Sequence, residues 1–439
     1  MPDLPTARRR GQWLDHLTSK VGIEENKLHF WGRDPSCLVT QSYIEPQLNV
    51  GNGADIYDKT IIPALLCARY EIIFVTCFWA RSSTLENLSA ALIKLSNEGL
   101  ARPRDVPKLR VRLCFSSLSL TQKLFHTSST SGHIYPRPKW TSLGLPSPEM
   151  LDGLDLQVKS LFFLPFSVMH PKFVIIDRQR ALLPSCNLSW ESWLECCLPV
   201  SGPAVSTLLD FWHNIWGRND LPALPVMPEV ERVDSPYKTT ILPSPHYCSP
   251  QFRPFLAFAP PPATPLNMYL LDLFATTSKS IRILTPNLTS PPVISALLDA
   301  LKRGVDVTVI TNRRMMVLEQ LLTAGTITEF CVWKFRRRYR KLVAASKHTR
   351  PVTMEEGLMT KAGSLHVGYF IPDSRYAKSH VKCTVVDEEI VVLGSGNMDR
   401  ASWYTSQELG IALEGADVVR DVWQSIEKEV LNGRGVEWL

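Results

Sequence analysis

Five residues, His170, Lys172, Asp177, Ser185 and Asn187, recur in the same order and at the same offsets as His380, Lys382, Asp387, Ser395 and Asn397. A shared register of this kind marks a duplicated unit, and it constrains the fold before any other property is considered. Side chains at i and i+2 of a strand project to one face, so His170 and Lys172 point the same way, as do His380 and Lys382. The apolar run Phe173 to Ile176, the polar turn Asp177-Arg178-Gln179 and the second apolar run Ala181 to Leu183 read as a hairpin. Its return strand presents Ser185 and Asn187, again two apart. Each copy therefore gathers an imidazole, an ammonium, a hydroxyl and an amide, a set suited to an anionic tetrahedral group such as a phosphodiester.

The duplication extends beyond the motifs. A helical pattern with Tyr57, Ile61 and Leu65 on one face leads into the apolar run Glu71 to Phe78. A second amphipathic pattern, Leu85, Leu88, Leu92 and Leu95, then leads into Leu109 to Phe115. The same alternation follows residue 265, with runs at Ile281 to Thr285 and Val305 to Thr311 around a helix bearing Val293, Leu297 and Leu301. The expected fold class is α/β: two pseudo-symmetric α/β/α sandwich halves with a mixed sheet each. The expected organisation is a lead-in at 1–53, a first half at 54–216 and a second half at 266–439. Between the halves, 217–265 is rich in proline and reads as a connector laid over the surface.

At 439 residues the chain is too long for one core, and its 45% hydrophobic and 21% charged residues are ordinary for globular protein. A net charge of +6 favours anionic partners without choosing among them. The ten cysteines lack C-x-x-C spacing, so free thiols in a reducing intracellular compartment are expected, and no metal site is indicated. Arg8-Arg9-Arg10 has no apolar run behind it, and the uncharged stretch 254–271 carries five prolines. A cytoplasmic or peripheral membrane protein without a transmembrane segment is expected.

The pattern H-x-K-x4-D followed by G-S-x-N, complete at 380–397 and present at 170–187 with Pro184 where glycine is usual, resembles the phospholipase D superfamily. The resemblance runs over roughly residues 50 to 215 and 265 to 430, and is strongest to phospholipases and cardiolipin-synthase-like members. It implies the phospholipase D fold and metal-independent phosphodiesterase or phosphatidyltransferase chemistry without a cofactor. It also implies a phosphohistidine intermediate, with His170 as nucleophile and His380 as acid and base. Lys172, Lys382, Asn187 and Asn397 would then hold the phosphate oxygens, with Ser185 and Ser395 as further substrate contacts. Glu195 and Glu408 resemble the acids that orient the histidine of the opposite half, Glu195 with His380 and Glu408 with His170. Asp177 and Asp387, in the hairpin turns, are expected to be structural, and Trp190, Trp193 and Trp403 to pack under the site.

One feature stands outside the motifs: the basic run Arg336, Arg337, Arg338, Arg340 and Lys341, extended by Lys347, His348 and Arg350. It reads as a solvated face, or as a membrane or anion surface with Phe335 and Tyr339 interleaved, bordering the mouth of the site. The expected partner is a phospholipid at a membrane surface, with nucleic acid as the second candidate. One chain holds both motifs, so a monomer suffices for a complete site. A nuclease on the same site and a catalytically inactive binding protein are the alternative functions.

Overall fold

The computed structural model describes residues 11–19, 34–44, 48–103, 105–125, 131–163, 167–217, 222–225, 235–244, 260–348, 361–431 and 433–439. Arg8-Arg9-Arg10, Pro228, Pro245 and Arg350, and the side chains of Lys347 and His348, lie outside them.

Each half is built on six strands. In the first they are β1 (Glu71–Phe78), β2 (Leu109–Ser117), β3 (Leu154–Ser160), β4 (Phe173–Ile176), β5 (Arg180–Pro184) and β6 (Trp193–Ser201). After β7 (Tyr237–Ser244), the second half repeats them as β8 (Ser280–Leu284), β9 (Asp306–Thr311), β10 (Leu365–Phe370), β11 (Cys383–Val386), β12 (Ile390–Gly394) and β13 (Glu408–Glu414). The spatial order is β6-β5-β4-β1-β2-β3 in one sheet and β13-β12-β11-β8-β9-β10 in the other, so the topologies superimpose strand for strand. Within each, the last three strands of that order are parallel, β4 and β11 run against them, and β5 and β12 turn back antiparallel to β4 and β11.

The helices used below are α1 (Ser83–Leu100), α2 (Leu120–Phe125), α3 (Pro203–Trp212), α4 (Pro265–Thr276), α5 (Pro291–Lys302), α6 (Val317–Ala324), α7 (Thr328–His348), α8 (Arg400–Tyr404) and α9 (Ala416–Leu431). Strand alternation sorts β1 between two cores. Ile72 and Phe74 pack outward with Leu85, Leu88 and Leu92 of α1, while Ile73 and Val75 pack into the central core with Phe211 of α3 and Phe274 of α4. Burying both faces explains why the run Glu71 to Phe78 is almost continuously apolar.

The connector expectation fails at residues 237–244. β7 is buried from Thr239 onward and pairs antiparallel with all seven residues of β13. On its other side it pairs with Val39–Ser42 of the lead-in, and that pairing ends at Thr240. Pro243 thus lies where the strand has a neighbour on one side only, which is where a residue without an N–H is tolerated. The lead-in is likewise tied down: buried Trp13 meets Tyr269 of α4 edge-on at 5.3 Å.

Both hairpin turns have two consecutive residues with positive φ, Asp177 (49°) with Arg178 (56°) and Asp387 (53°) with Glu388 (60°). Three residues, 177–179 and 387–389, separate the paired strand ends, and a left-handed first position suits a short acid. The two aspartates then act as staples. Asp177 accepts from the backbone N–H groups of Arg69, Tyr70 and Glu71, and Asp387 from those of Ser278, Lys279 and Ser280 and from the Thr277 hydroxyl. Each pins its hairpin to the start of the neighbouring parallel strand.

Candidate active site

The site is assembled by backbone hydrogen bonds that cross between the halves. Lys378–Ser379 runs parallel to the start of β6, and the His380 N–H donates to the Leu194 carbonyl at 2.8 Å. In the mirror arrangement Met169 bridges Gln407, and the His170 N–H donates to the Gln407 carbonyl at 3.0 Å. Each histidine is therefore fixed beside the residue preceding a glutamate of the other half. The side chains follow: His170 Nδ1 lies 2.9 and 3.1 Å from the Glu408 carboxylate oxygens, and His380 Nδ1 lies 2.9 and 3.1 Å from those of Glu195. With Nδ1 engaged, each ring is left with Nε2 for chemistry.

Ser185 and Ser395, expected to touch substrate, are committed elsewhere. The Ser185 hydroxyl donates to Glu195 and accepts from the Cys196 N–H at 2.8 Å. The Ser395 hydroxyl donates to Glu408 and accepts from the Leu409 N–H at 3.0 Å. Both are buried and stand one layer behind the glutamates, so their part is to hold a carboxylate that holds an imidazole. Lys172 and Lys382 are also buried, and each donates one hydrogen bond to the carbonyl of its own motif histidine, at 3.0 and 2.6 Å. An ammonium has three donors, so two remain on each.

The asparagines differ between halves. The Asn187 carbonyl accepts from the Phe78 N–H at 3.2 Å, whereas the Asn397 amide donates to Asp399 at 3.0 Å. Asp399 also caps α8 through the Ser402 N–H at 2.9 Å. Its position in the first copy is Ser189, so Asp399 lay outside the shared register. An acid directly ahead of a short helix is the capping signal that would have singled it out. Trp193 was expected to pack beneath the site, and its ring lies 4.9 Å from that of His380. Trp403 is buried, but Trp190 is 63% exposed and meets Phe78 edge-on, so it does not pack under the site.

Electrostatics separate the two pairs. Burial, joined by the charges of Lys382 and Lys172, holds the His380 ring well below its ordinary pKa, and burial pushes the Glu195 carboxyl up to about 7. Burial also lowers His170, against the opposing charge of Glu408. For Glu408 burial acts upward, but the His170 charge and hydrogen bonds from His170, Ser395 and Ser402 outweigh it, and the carboxyl sits below its usual value. Burial and the neighbouring Lys172 bring the Lys382 ammonium down to about 7.

The basic run does not border this cluster. α7 meets the site through its first residue, Thr328, whose hydroxyl accepts from the Leu288 N–H at 3.1 Å. Arg336 to Lys341 lie roughly 12–20 Å farther along the helix axis. Phe335 is wholly buried and Tyr339 donates to the Gly363 carbonyl, so neither is an interleaved surface aromatic. Arg336 is half-buried, while Arg337, Arg338, Arg340 and Lys341 are exposed.

Among the described residues no group of three or more His, Cys, Asp or Glu is placed to hold a metal ion, the cysteines are free, and no helix is long and apolar enough to cross a membrane. Residues 270–430 match the family model described as cardiolipin synthase, PLD-like domain. No curated protein matches the sequence. Among solved structures, phosphatidylserine synthase of Haemophilus influenzae is similar at 12% identity over 92% of this chain and 90% of its own, with a TM-score of 0.57. Polyphosphate kinase of Porphyromonas gingivalis matches at 12% identity over 88% and 50% of the two chains, TM-score 0.48. Nuc, a phospholipase D family member of Salmonella typhimurium, matches at 16% identity over 45% and 97%, TM-score 0.29. The family match and the doubled fold agree with the motifs: residues 270–430 are similar to the PLD-like domain of cardiolipin synthase, and the chain as a whole shares its fold with the phosphatidylserine synthase.

Proposed function

We propose that this chain breaks phospholipid phosphodiester bonds, by hydrolysis or by phosphatidyl transfer to an alcohol, through a phosphohistidine intermediate. The observation that carries the reading is the crossed pair of His–Glu contacts, which orients two imidazoles through Nδ1 in one buried cluster. Displacing an alkoxide from phosphorus needs a nucleophile on one side and a proton donor on the other.

The electrostatic difference supports one division of the roles. The ionised Glu408 carboxylate behind His170 supports the cation that forms when Nε2 bonds to phosphorus, so His170 is the nucleophile. The Glu195–His380 pair keeps a proton on its acid side, and His380 is the acid. In the first step His170 Nε2 forms a bond to phosphorus and the bond to the leaving oxygen breaks. That oxygen takes the His380 Nε2 proton while the Glu195 proton moves to His380 Nδ1. In the second step His380 Nε2 removes a proton from water or an alcohol, whose oxygen attacks phosphorus as the P–N bond breaks, and the proton on Nδ1 returns to Glu195. The two free donors on each of Lys172 and Lys382, with the amide NH2 of Asn187, hold the non-bridging oxygens, where one preorganised donor is worth ~10²–10³ in rate.

The lipid substrate is supported by the printed description of the matched family and by the phosphatidylserine synthase likeness. The test is turnover of a panel of labelled phospholipids and single-stranded oligonucleotides by the wild type, His170→Ala and His380→Ala. Lipid turnover lost in both variants is expected. Cleavage of oligonucleotides without lipid turnover replaces the reading with a nuclease, and no turnover of either replaces it with a binding protein.

A further inference from the structure

Three exposed leucines of the second half stand beside the site. α6 has only eight residues, yet Leu318, Leu321 and Leu322 are 75%, 48% and 56% exposed. Their i, i+3, i+4 spacing puts them on one face. The opposite face is buried and fixed: Gln320 donates to Asn287 at 3.1 Å and accepts from the backbone N–H and hydroxyl of Thr328, both at 2.8 Å. Asn312, a few residues ahead of α6, exchanges hydrogen bonds with the backbone of Ser379, the residue before His380. α6 also packs against α8, which follows Asn397. Glu319 on the same helix feels the charges of Asp399, Lys123, Glu408 and Lys172, as a residue at the rim of the catalytic cluster does.

Three residues past α6, the first turns of α7 carry further exposed apolar side chains. Phe330 and Trp333, 45% and 50% exposed, stack at 5.7 Å with their planes 10° apart. Lys334 lies over the Phe330 ring at 4.2 Å, and Arg337 over Trp333 at 5.4 Å. Beyond them the exposed Arg338, Arg340 and Lys341 continue the positive charge. The first half repeats the feature in miniature: α2 follows β2 as α6 follows β9, and ends in Phe125, 75% exposed. Patches of this kind mark interaction sites. Leucines projecting ahead of aromatics that are capped by cations are the chemistry of an acyl boundary beneath anionic head groups.

We infer that the outward faces of α6 and the first turns of α7 form a docking surface for an anionic lipid bilayer, seated so that the active-site mouth opens onto the interface. The inference rests on the phospholipid reading for its purpose, but the surface is tested without turnover. The chain and two triple variants, Leu318→Ser/Leu321→Ser/Leu322→Ser and Lys334→Gln/Arg337→Gln/Arg338→Gln, are floated with phosphatidylcholine vesicles and with vesicles containing phosphatidylglycerol, and circular dichroism reports their folding. Wild type should float with the anionic vesicles. The leucine variant should bind them roughly 100-fold more weakly. The charge variant should lose about 10- to 100-fold and most of its salt dependence. Leu318→Ser alone, at the most exposed position, serves if the triple variant does not fold. Unchanged flotation of the leucine variants overturns the inference. So does a wild type that ignores vesicles and forms a dimer which those variants dissociate, since the surface then belongs to a second copy. A wild type that docks through these leucines but turns over no phospholipid upholds the surface and rejects the lipid substrate.

Discussion

The two histidines occupy matching places in matching sheets and share a partner type at the same distances, yet the carboxyls behind them are shifted in opposite directions. Behind His170 stands Glu408, held ionised by its hydrogen bonds and by the ring it faces. Behind His380 stands Glu195, pushed toward its neutral form by burial, with the buried thiols Cys186 and Cys196 beside it. Duplication supplies two copies of a geometry, whereas chemistry in one direction needs two different groups. The surroundings of the carboxylates supply the difference while the backbone stays symmetric.

The sharpest way to break this comparison is to remove each ring. His170→Ala and His380→Ala should each lower turnover by ~10³-fold or more, since the two act as a unit. Only the second should still form an acid-labile phosphoryl adduct with an activated substrate, located by mass spectrometry on His170. An adduct on His380 in the His170→Ala protein exchanges the roles.

A smaller and asymmetric effect is expected from the acids. Glu408→Gln should cost about 10²- to 10⁴-fold in kcat/KM, because in the proposed mechanism it removes the charge that supports the phosphorylated ring. Glu195→Gln should cost less. With Glu195 raised to about 7, the wild-type kcat/KM should fall as pH rises through that value and the acid side loses its proton. Rate profiles of the glutamine variant should lose the share of that limb due to Glu195 and keep the share due to Lys382, whose ammonium is also brought down to about 7. Equal losses and unchanged profiles would reduce the difference between the pairs to packing.

The hairpins offer a comparison in stability. Gly394 has a φ of 155°, and a Cβ there would sit 2.3 Å from the Leu409 carbonyl oxygen, whereas the first hairpin carries Pro184 at the same register. Gly394→Ala should therefore destabilise by roughly 1–3 kcal/mol in denaturant titration, and Pro184→Ala by less.

The turn aspartates give the smallest effect. Asp387 is held below its usual pKa because hydrogen bonds from Thr277, Lys279, Ser280 and Ser278 outweigh burial. Its folded value lies below the unfolded one, so its contribution is fully present above the ordinary carboxylate range and is lost as pH falls through the folded value. Asp387→Asn should lower stability at neutral pH and leave a shallower decline toward acid.

Much of this was legible because period and register are local. Glu71 to Phe78 reads directly as a strand, and the offsets from His170 and His380 locate the lysines, asparagines and turn acids without any structure. Three things were not. β7 sits among prolines and finds its place through β13 and through Val39–Ser42, both far along the chain. Ser185 and Ser395 have the right spacing for a substrate contact, but the glutamates that claim their hydroxyls arrive from another strand. On α7 the charges drew attention away from the stripe Val332, Phe335 and Tyr339, whose helical spacing marks the face that packs on β10 and α5.

The crossed contacts span 238 residues for His170–Glu408 and 185 for His380–Glu195. Contacts so remote along the chain close late, after the entropy of the intervening loops has been overcome. Either sheet can pair its own strands first, and neither then owns a complete proton-transfer pair. Refolding from denaturant should therefore regain its far-ultraviolet signal before its turnover, with competence appearing only when the second sheet docks on the first.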